Sequence, residues 1–422
     1  MIPPDVDGVN ETGPPDPGLE AARASPHTVT KTTSAHGGPA MLVALDGNPL
    51  IGGHVARGIG RTTRRLLEEF GRFLPSLDPY GSFRLNYYLP GDQTWGHPAD
   101  WRHIAPRRLA PGEDLLEAAQ ADGAAVIHLT DYFHPAYEAG RLAAGQVHVP
   151  VIVTVRDIIP LHFPAKKQRG FGRLTRALVP ILPAVTRIIA ISEATKRDLV
   201  GTLRVDPDRI DVVYHGVDHD VFHDRYPEDE IENTLSRYGL ARPYILYVAA
   251  FDSRKNHGLL VDAFQHLSRR GRHKPYLVLV GPGTVPAELT SQIKRLGVSD
   301  RVKFAHDVPA DDLARMYRGA DLFAFPSLYE GFGNPVLEAM ACGTPVVALA
   351  TSSVPEVAGD GAVLVSRNDY GAFGNAMAHV LDNPALAADL RRRGMMRARD
   401  FTWWRTARQT LDIYRYAIAD AR

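Results

Sequence analysis

Phe325-Pro-Ser-Leu-Tyr-Glu330-Gly-Phe-Gly-Asn-Pro-Val-Leu-Glu338-Ala-Met-Ala-Cys-Gly343-Thr-Pro345 leaves an apolar strand, passes through a glycine-bearing polar loop and enters a helix. Asn334 is placed as the helix cap with Pro335 at the first helical position, where its missing N–H costs nothing. Gly343 supplies the stop, because glycine enters the left-handed conformation that closes helices without a Cβ clash. The apolar Val346 to Ala348 then begins another strand. A strand, a helix and a further strand in that order predict a parallel α/β sheet.

The same unit recurs along the chain in both directions from this segment. Apolar strands are read at Met41 to Leu45, Ala124 to Leu129, Val149 to Val155, Arg187 to Ile191 and Ile210 to Tyr214. A second series follows at Tyr244 to Ala249, Tyr276 to Val280, Val302 to Phe304, Leu322 to Phe325 and Val346 to Ala348. A chain of 422 residues exceeds one ordinary domain, so the two series predict two Rossmann-like doubly wound domains facing a central cleft. In such sheets ligands bind beyond the carboxyl ends of the strands. The expected boundaries are a disordered tail over 1–40, rich in Pro and Gly; a first Rossmann-like domain over 41–222; a second over 223–402; and a helix over 403–422 packing back toward the first domain. Asp218 to Arg242 is the linker, its later part read as a helix of the second domain. Trp404, Ala407, Leu411, Tyr414 and Ile418 form the apolar stripe of the last helix.

Composition narrows the function. Lys plus Arg (48) equals Asp plus Glu (48), so no net field favours nucleic acid, and an anion site has to be built locally. The lone Cys342 reads as a buried small hydrophobe in a reducing cytoplasm. No stretch approaches the roughly 20 apolar residues of a membrane span. Lys166 to Arg169, Arg173 and Arg176, interleaved with Leu174, Leu178, Ile181 and Leu182, read either as a peripheral membrane face or as a helix that buries its apolar stripe and solvates its charges.

Glu330 and Glu338 lie on either side of a helix start, with Gly331 and Gly333 letting backbone approach a ligand beside the positive end of the helix dipole. Arg254 and Lys255 follow the strand ending at Ala249, where cations can grip a diphosphate and stabilise charge on a leaving group. Gly52 and Gly53 precede a helix that begins near Gly60, a loop type that admits phosphate but falls short of a dinucleotide fingerprint. His128 ends a strand, with His134 as its competitor, and Asp157 follows another strand. Asp311 and Asp312 read as the cap and dipole partners of a helix. No acid pair or histidine spacing suits a metal, so neither a metal nor another cofactor is expected.

These segments resemble glycosyltransferase family 4, the retaining transferases of GT-B fold whose signature is two glutamates separated by seven residues, here Glu330 and Glu338. The likeness runs from about Met41 to Asp400 and includes Gly58-Ile-Gly-Arg61, Asp157, Ser192-Glu-Ala-Thr, His215-Gly-Val-Asp218, Arg254-Lys-Asn256, Gly281-Pro-Gly283 and Pro355-Glu-Val-Ala-Gly359. It is strongest toward bacterial polysaccharide mannosyltransferases. The resemblance implies that Glu338 holds the nucleotide ribose, that Glu330 meets the donor sugar, and that Arg254 and Lys255 bind the diphosphate. It further implies donor contacts at Gly331, Phe332, Gly333, Gly52, Gly53 and Gly281, a sugar contact at His128, and acceptor-side roles for Asp157 and Arg61. The implied donor is GDP-mannose, with UDP-glucose next, bound by the nucleotide-sugar domain over 223–402, and the acceptor is a hydroxyl of a glycan, lipid-linked or small-molecule acceptor on the acceptor-side domain over 41–222. Two positions depart from many relatives: Ala249-Ala250 replaces a Gly-Arg pair, and Arg156 replaces a histidine before Asp157. The rival readings are a nucleotide-sugar epimerase, a noncatalytic nucleotide-sugar binder and, weakest, a nicotinamide oxidoreductase.

Overall fold

The computed structural model describes residues 40–51, 58–79, 81–91, 93, 95–96, 101, 103–131, 139–163, 177–269 and 274–421. The tail through residue 39, Gly52, Gly53, His134 and the basic run from Lys166 to Arg176 lie outside them.

Strands β1 (Met41–Asp46), β2 (Phe83–Pro90), β3 (Ile104–Leu109), β4 (Ala124–Leu129), β5 (Val151–Val155), β6 (Arg187–Ala190) and β7 (Ile210–Val212) form one sheet in the order β3-β2-β1-β4-β5-β6-β7. Strands β8 (Tyr244–Val248), β9 (Tyr276–Val280), β10 (Val302–Ala305), β11 (Leu322–Phe325), β12 (Val346–Leu349) and β13 (Ala362–Val365) form a second, ordered β10-β9-β8-β11-β12-β13. Every pairing is parallel. Central strands such as β5 and β11 are buried along their whole length, because helices cover both faces of a parallel sheet. Strands β2, β3 and β13 are additions to the sequence reading. β3 and β13 are edge strands, and β3 buries only Ile104 and Leu109, so it lacks the apolar run by which the others are recognised.

Strand order reverses between β1 and β4 and again between β8 and β11. The crevice at such a switch point is where a doubly wound sheet leaves room for a ligand. The loop carrying Glu330 leaves β11 and the turn carrying Lys255 leaves β8, so both open on the second sheet's switch point.

The chain crosses between the lobes at Val217 and again at Thr402, where the two crossings pair as a parallel bridge. Val217 N donates to Phe401 O at 3.1 Å, and Thr406 Oγ1 donates to Tyr214 O at 2.7 Å. A Cβ on Gly216 would stand 2.2 Å from Trp403 N, which is why that crossing needs glycine. Past the second crossing, the helix Trp403–Asp420 returns to the first lobe, where Ala407, Leu411 and Tyr414 share a core with Val43, Phe70 and Val126. Burying one such Leu or Tyr side chain stabilises by about 1.5–3 kcal/mol.

The linker holds the helix Glu228–Arg237, whose first turn carries Glu228, Asp229 and Glu230 beside its positive dipole end. Asp312 opens the helix Ala310–Gly319 without capping it, since its carboxylate accepts from Arg237 at 2.9 Å and from Tyr238 OH at 2.9 Å. Its expected capping role thus gives way to a tie between two helices.

Candidate active site

Two strand-end turns of the second lobe are joined before any side chain meets a ligand. Asp252 caps the single turn Ser253–Lys255 by accepting from Arg254 N, and Asn256 closes it at φ 58°, a left-handed conformation that asparagine tolerates. Leu328 N donates to Arg254 O at 2.9 Å, Asn256 Nδ2 to Pro326 O at 3.2 Å, and Arg254 Nη1 to Tyr329 O at 2.6 Å. The turn after β8 is thereby fixed against the loop after β11.

Within this frame Lys255 Nζ lies 2.5 Å from Glu330 Oε1, and Arg254 Nη1 lies 3.4 Å from Glu330 Oε2. Ser327 Oγ donates to Glu330 Oε1 at 2.6 Å, and Glu330 N donates to Ser352 Oγ at 2.7 Å. The three charged side chains keep only 11–15% of their exposure, so water screens them weakly and their fields reach a bound substrate.

The helix Asn334–Ala341 begins after Gly333, which sits at φ 104° in the cap position, so Asn334 is the first helical residue and not the cap. Glu338, just past the first turn, accepts from Tyr317 OH at 3.1 Å. Burial pushes its carboxyl above the usual range, against the pull of Arg61. Arg61 lies on the first turn of the helix Gly58–Leu77 in the other lobe, so a cation from the first lobe acts on the carboxylate of the second. Asp157 follows β5, accepts from Ile159 N at 3.0 Å and feels both Arg254 and Glu330. Burial is the largest influence on its carboxyl and raises it. Glu330, Lys255, Arg254 and Asp157 form one electrostatic cluster, flanked by the Glu338, Tyr317 and Arg61 group.

Comparison with known proteins agrees with this geometry. The model described as Glycosyltransferase Family 4 matches residues 75–221, and that described as Glycosyl transferases group 1 matches residues 236–397. The O-antigen chain mannosyltransferase B of Escherichia coli is 30% identical over 270 residues, covering 63% of this chain and 70% of that protein. The chain belongs to glycosyltransferase family 4. A D-inositol 3-phosphate glycosyltransferase from Salinispora tropica is 34% identical over 318 residues, 69% of this chain and 65% of that protein, so the match spans a little less than two thirds of that relative. Sucrose-phosphate synthase from Thermosynechococcus elongatus superposes with a TM-score of 0.69 over 90% of this chain and 100% of its own, at 23% identity. That likeness is one of fold, and the fold is GT-B.

Four members of the expected family 4 constellation sit in tightly packed surroundings. His128 is 1% exposed, its Nδ1 2.7 Å from Tyr414 OH and its Nε2 2.7 Å from Thr154 Oγ1. Burial depresses its pKa to about 3. Its two ring nitrogens thus tie β4 to the terminal helix and to β5. Gly281 serves strand packing: its Cβ would fall 1.9 Å from Ala249 O, and its N–H is spent on Ala305 O at 3.1 Å. Phe332 is buried against Tyr214, His215 and Phe401. Gly331 has no room for a Cβ because Arg156 O would lie 2.3 Å away, so its smallness serves contact between lobes.

Arg156, which stands in the place of a histidine, reaches along the carboxyl end of the first sheet to the start of the helix Gly58–Leu77. It donates to Thr62 Oγ1, to Thr63 Oγ1 at 3.3 Å and to Ile59 O at 3.4 Å. It thereby fixes the helix turn that carries Arg61. The polar residues Tyr317, Ser327, Ser352 and Ser353 carry no motif of their own, and only the folded loop shows that they support the two glutamates.

Proposed function

We propose that this chain transfers a hexose, mannose by preference, from a nucleotide diphosphate sugar to a hydroxyl of a glycan, lipid-linked or small polyol acceptor, with retention of the anomeric configuration. The observation that carries the reading is the convergence of Lys255, Arg254 and Glu330 at the second switch point, with Glu338 on the adjoining helix. Glu338, supported by Tyr317, has acceptor sites for a ribose diol. Arg254 and Lys255 bind the diphosphate and take up the charge that develops as the sugar C1–O bond breaks. The electron pair of that bond leaves with the nucleoside diphosphate. The acceptor oxygen bonds C1 from the same face and its proton passes to the departing phosphate oxygen, so no covalent enzyme intermediate is needed. Glu330 holds the sugar hydroxyls, and Asp157 and Arg156 approach from the acceptor lobe. No step draws on a metal or a further cofactor.

GDP-mannose is favoured as donor by the likeness to the O-antigen mannosyltransferase. D-inositol 3-phosphate is an acceptor to test, because the relatives named for it reach 34% identity. Among the described residues no helix is long and apolar enough to cross a membrane, and we assign the enzyme to the cytoplasm, with the basic Lys166 to Arg176 run as its contact with a bilayer face. The deciding experiment is a thermal-shift screen of GDP-mannose, UDP-glucose and related donors, followed by release of nucleoside diphosphate with and without acceptor. A ligand that binds only the native state raises the melting temperature by mass action. Isomerised donor without transfer would identify an epimerase, and binding without release would identify a noncatalytic protein.

A further inference from the structure

The loop from Tyr329 to Gly333 belongs to the second lobe by sequence, yet much of what holds it comes from the first. Ser192, 0% exposed, caps the helix Glu193–Leu203 by accepting from Thr195 N at 3.0 Å, and its hydroxyl donates across the cleft to Gly331 O at 2.6 Å. Thr195 Oγ1 lies 3.1 Å from Arg156 O and 3.4 Å from Gly331 O. Tyr329 OH donates to Asp198 on the same helix, and the Tyr329 ring packs against His162 and Phe163.

The reciprocal contact comes from Glu356 on the helix Val354–Ala358 of the second lobe. Its Oε2 accepts from Glu193 N at 2.8 Å and from Tyr214 OH at 3.0 Å, and its Oε1 accepts from Ala194 N at 2.9 Å. The first amides of a helix have no partner within it and carry its positive dipole end, so a carboxylate is the group they hold best. Ser353, three residues before Glu356, donates to Glu330 O at 3.0 Å and to Phe332 O at 2.8 Å. One short segment therefore grips the sugar loop with Ser353 and the opposite lobe with Glu356.

We infer that Glu356 and Ser192 are positioning residues forming an interlobe latch, which sets Glu330 in register with Asp157 on the acceptor side. The inference rests on the transferase reading for its catalytic consequence, since the latch governs how far the sugar travels between lobes and leaves the nucleotide contacts of the second lobe alone. Neither residue is placed to touch the donor.

The test combines a distance and a rate. Thr202→Cys and Glu288→Cys, at exposed positions in different lobes, take nitroxide labels while Cys342 stays buried. Interlabel distances are then compared between otherwise wild-type protein and Glu356→Ala, Glu356→Gln and Ser192→Ala. Glu356→Ala should widen the distance distribution about twofold as the lobes gain freedom, with Glu356→Gln in between because an amide oxygen still accepts. The kcat for GDP release from GDP-mannose should fall about tenfold through lost alignment, with the Kd for GDP held within about twofold. An unchanged distribution in folded Glu356→Ala, or GDP affinity falling in step with kcat, overturns the latch. Wild-type protein that releases no nucleotide from any donor would refute the transferase reading, and the label distances would still decide the latch.

Discussion

Glu330→Gln should make the protein bind free nucleoside diphosphate more tightly while destroying transfer. The carboxylate places one oxygen 2.5 Å from Lys255 Nζ and the other 3.4 Å from Arg254 Nη1, so an arriving diphosphate competes with it for both cations. Glutamine keeps the shape and the bond from Ser327 but removes the competing charge. At about 4 Å and an effective dielectric near 20, one such charge pair is worth roughly 4 kcal/mol gross. Rearrangement and residual hydration reduce this to about 1–2 kcal/mol net, toward the lower end of what a hydrogen bond to a charged group is worth. GDP and UDP affinity should therefore rise about 5- to 30-fold. Turnover of the nucleotide sugar should fall about 100-fold, because the sugar loses its charged partner. Isothermal titration of GDP and UDP, with nucleotide release as the rate assay, gives both numbers. Lys255→Met should weaken GDP binding and shrink the gain from Glu330→Gln when the two are combined. Folded Glu330→Gln that binds GDP no better than wild type would refute the argument.

Gly331→Ala places a Cβ 2.3 Å from Arg156 O and should cost about 1–3 kcal/mol, read as a lower melting temperature. Glu338→Leu removes the acceptor of Tyr317 OH and should weaken GDP and UDP binding about tenfold by calorimetry. His128 and His215 are both held near a pKa of about 3 by burial, against about 6.5 when unfolded. Between those values the unfolded chain binds more protons, so stability is full above about pH 6.5 and falls as pH drops toward 3, by about 1.4 kcal/mol per unit for each histidine. Chemical denaturation at pH 7 and pH 5 measures that slope, and His128→Gln should flatten it. Chelation with EDTA should leave the initial rate of nucleotide release unchanged, since Arg254 and Lys255 supply the positive charge that a metal otherwise would.

The fold was legible wherever a strand is buried on both faces. β4, β9 and β11 match their predicted spans residue for residue, because an apolar run between polar loops has one reading when helices cover both sides. β3 was not legible: Ala105, Pro106 and Arg108 are exposed at a sheet edge, and its pairing with β2 is a long-range choice no local pattern reports. At the site, Glu330, Lys255 and Arg254 stand together as the motif spacing suggests. The roles of glycines and histidines were less accessible. A glycine required by a carbonyl in another lobe, as at Gly331, looks the same in sequence as one that admits a ligand. His128 likewise gives no local sign that Tyr414, 286 positions away, will occupy its ring.

The eighteen residues of the terminal helix carry a practical corollary for anyone dissecting this molecule. A fragment ending at Phe401 would strip Leu411 and Tyr414 from beneath Phe70 and leave His128 without its phenol. A first lobe made for isolated work has to carry the far end of the polypeptide, spliced on or supplied as a synthetic peptide. Rescue by that peptide would make the protein a natural split reporter.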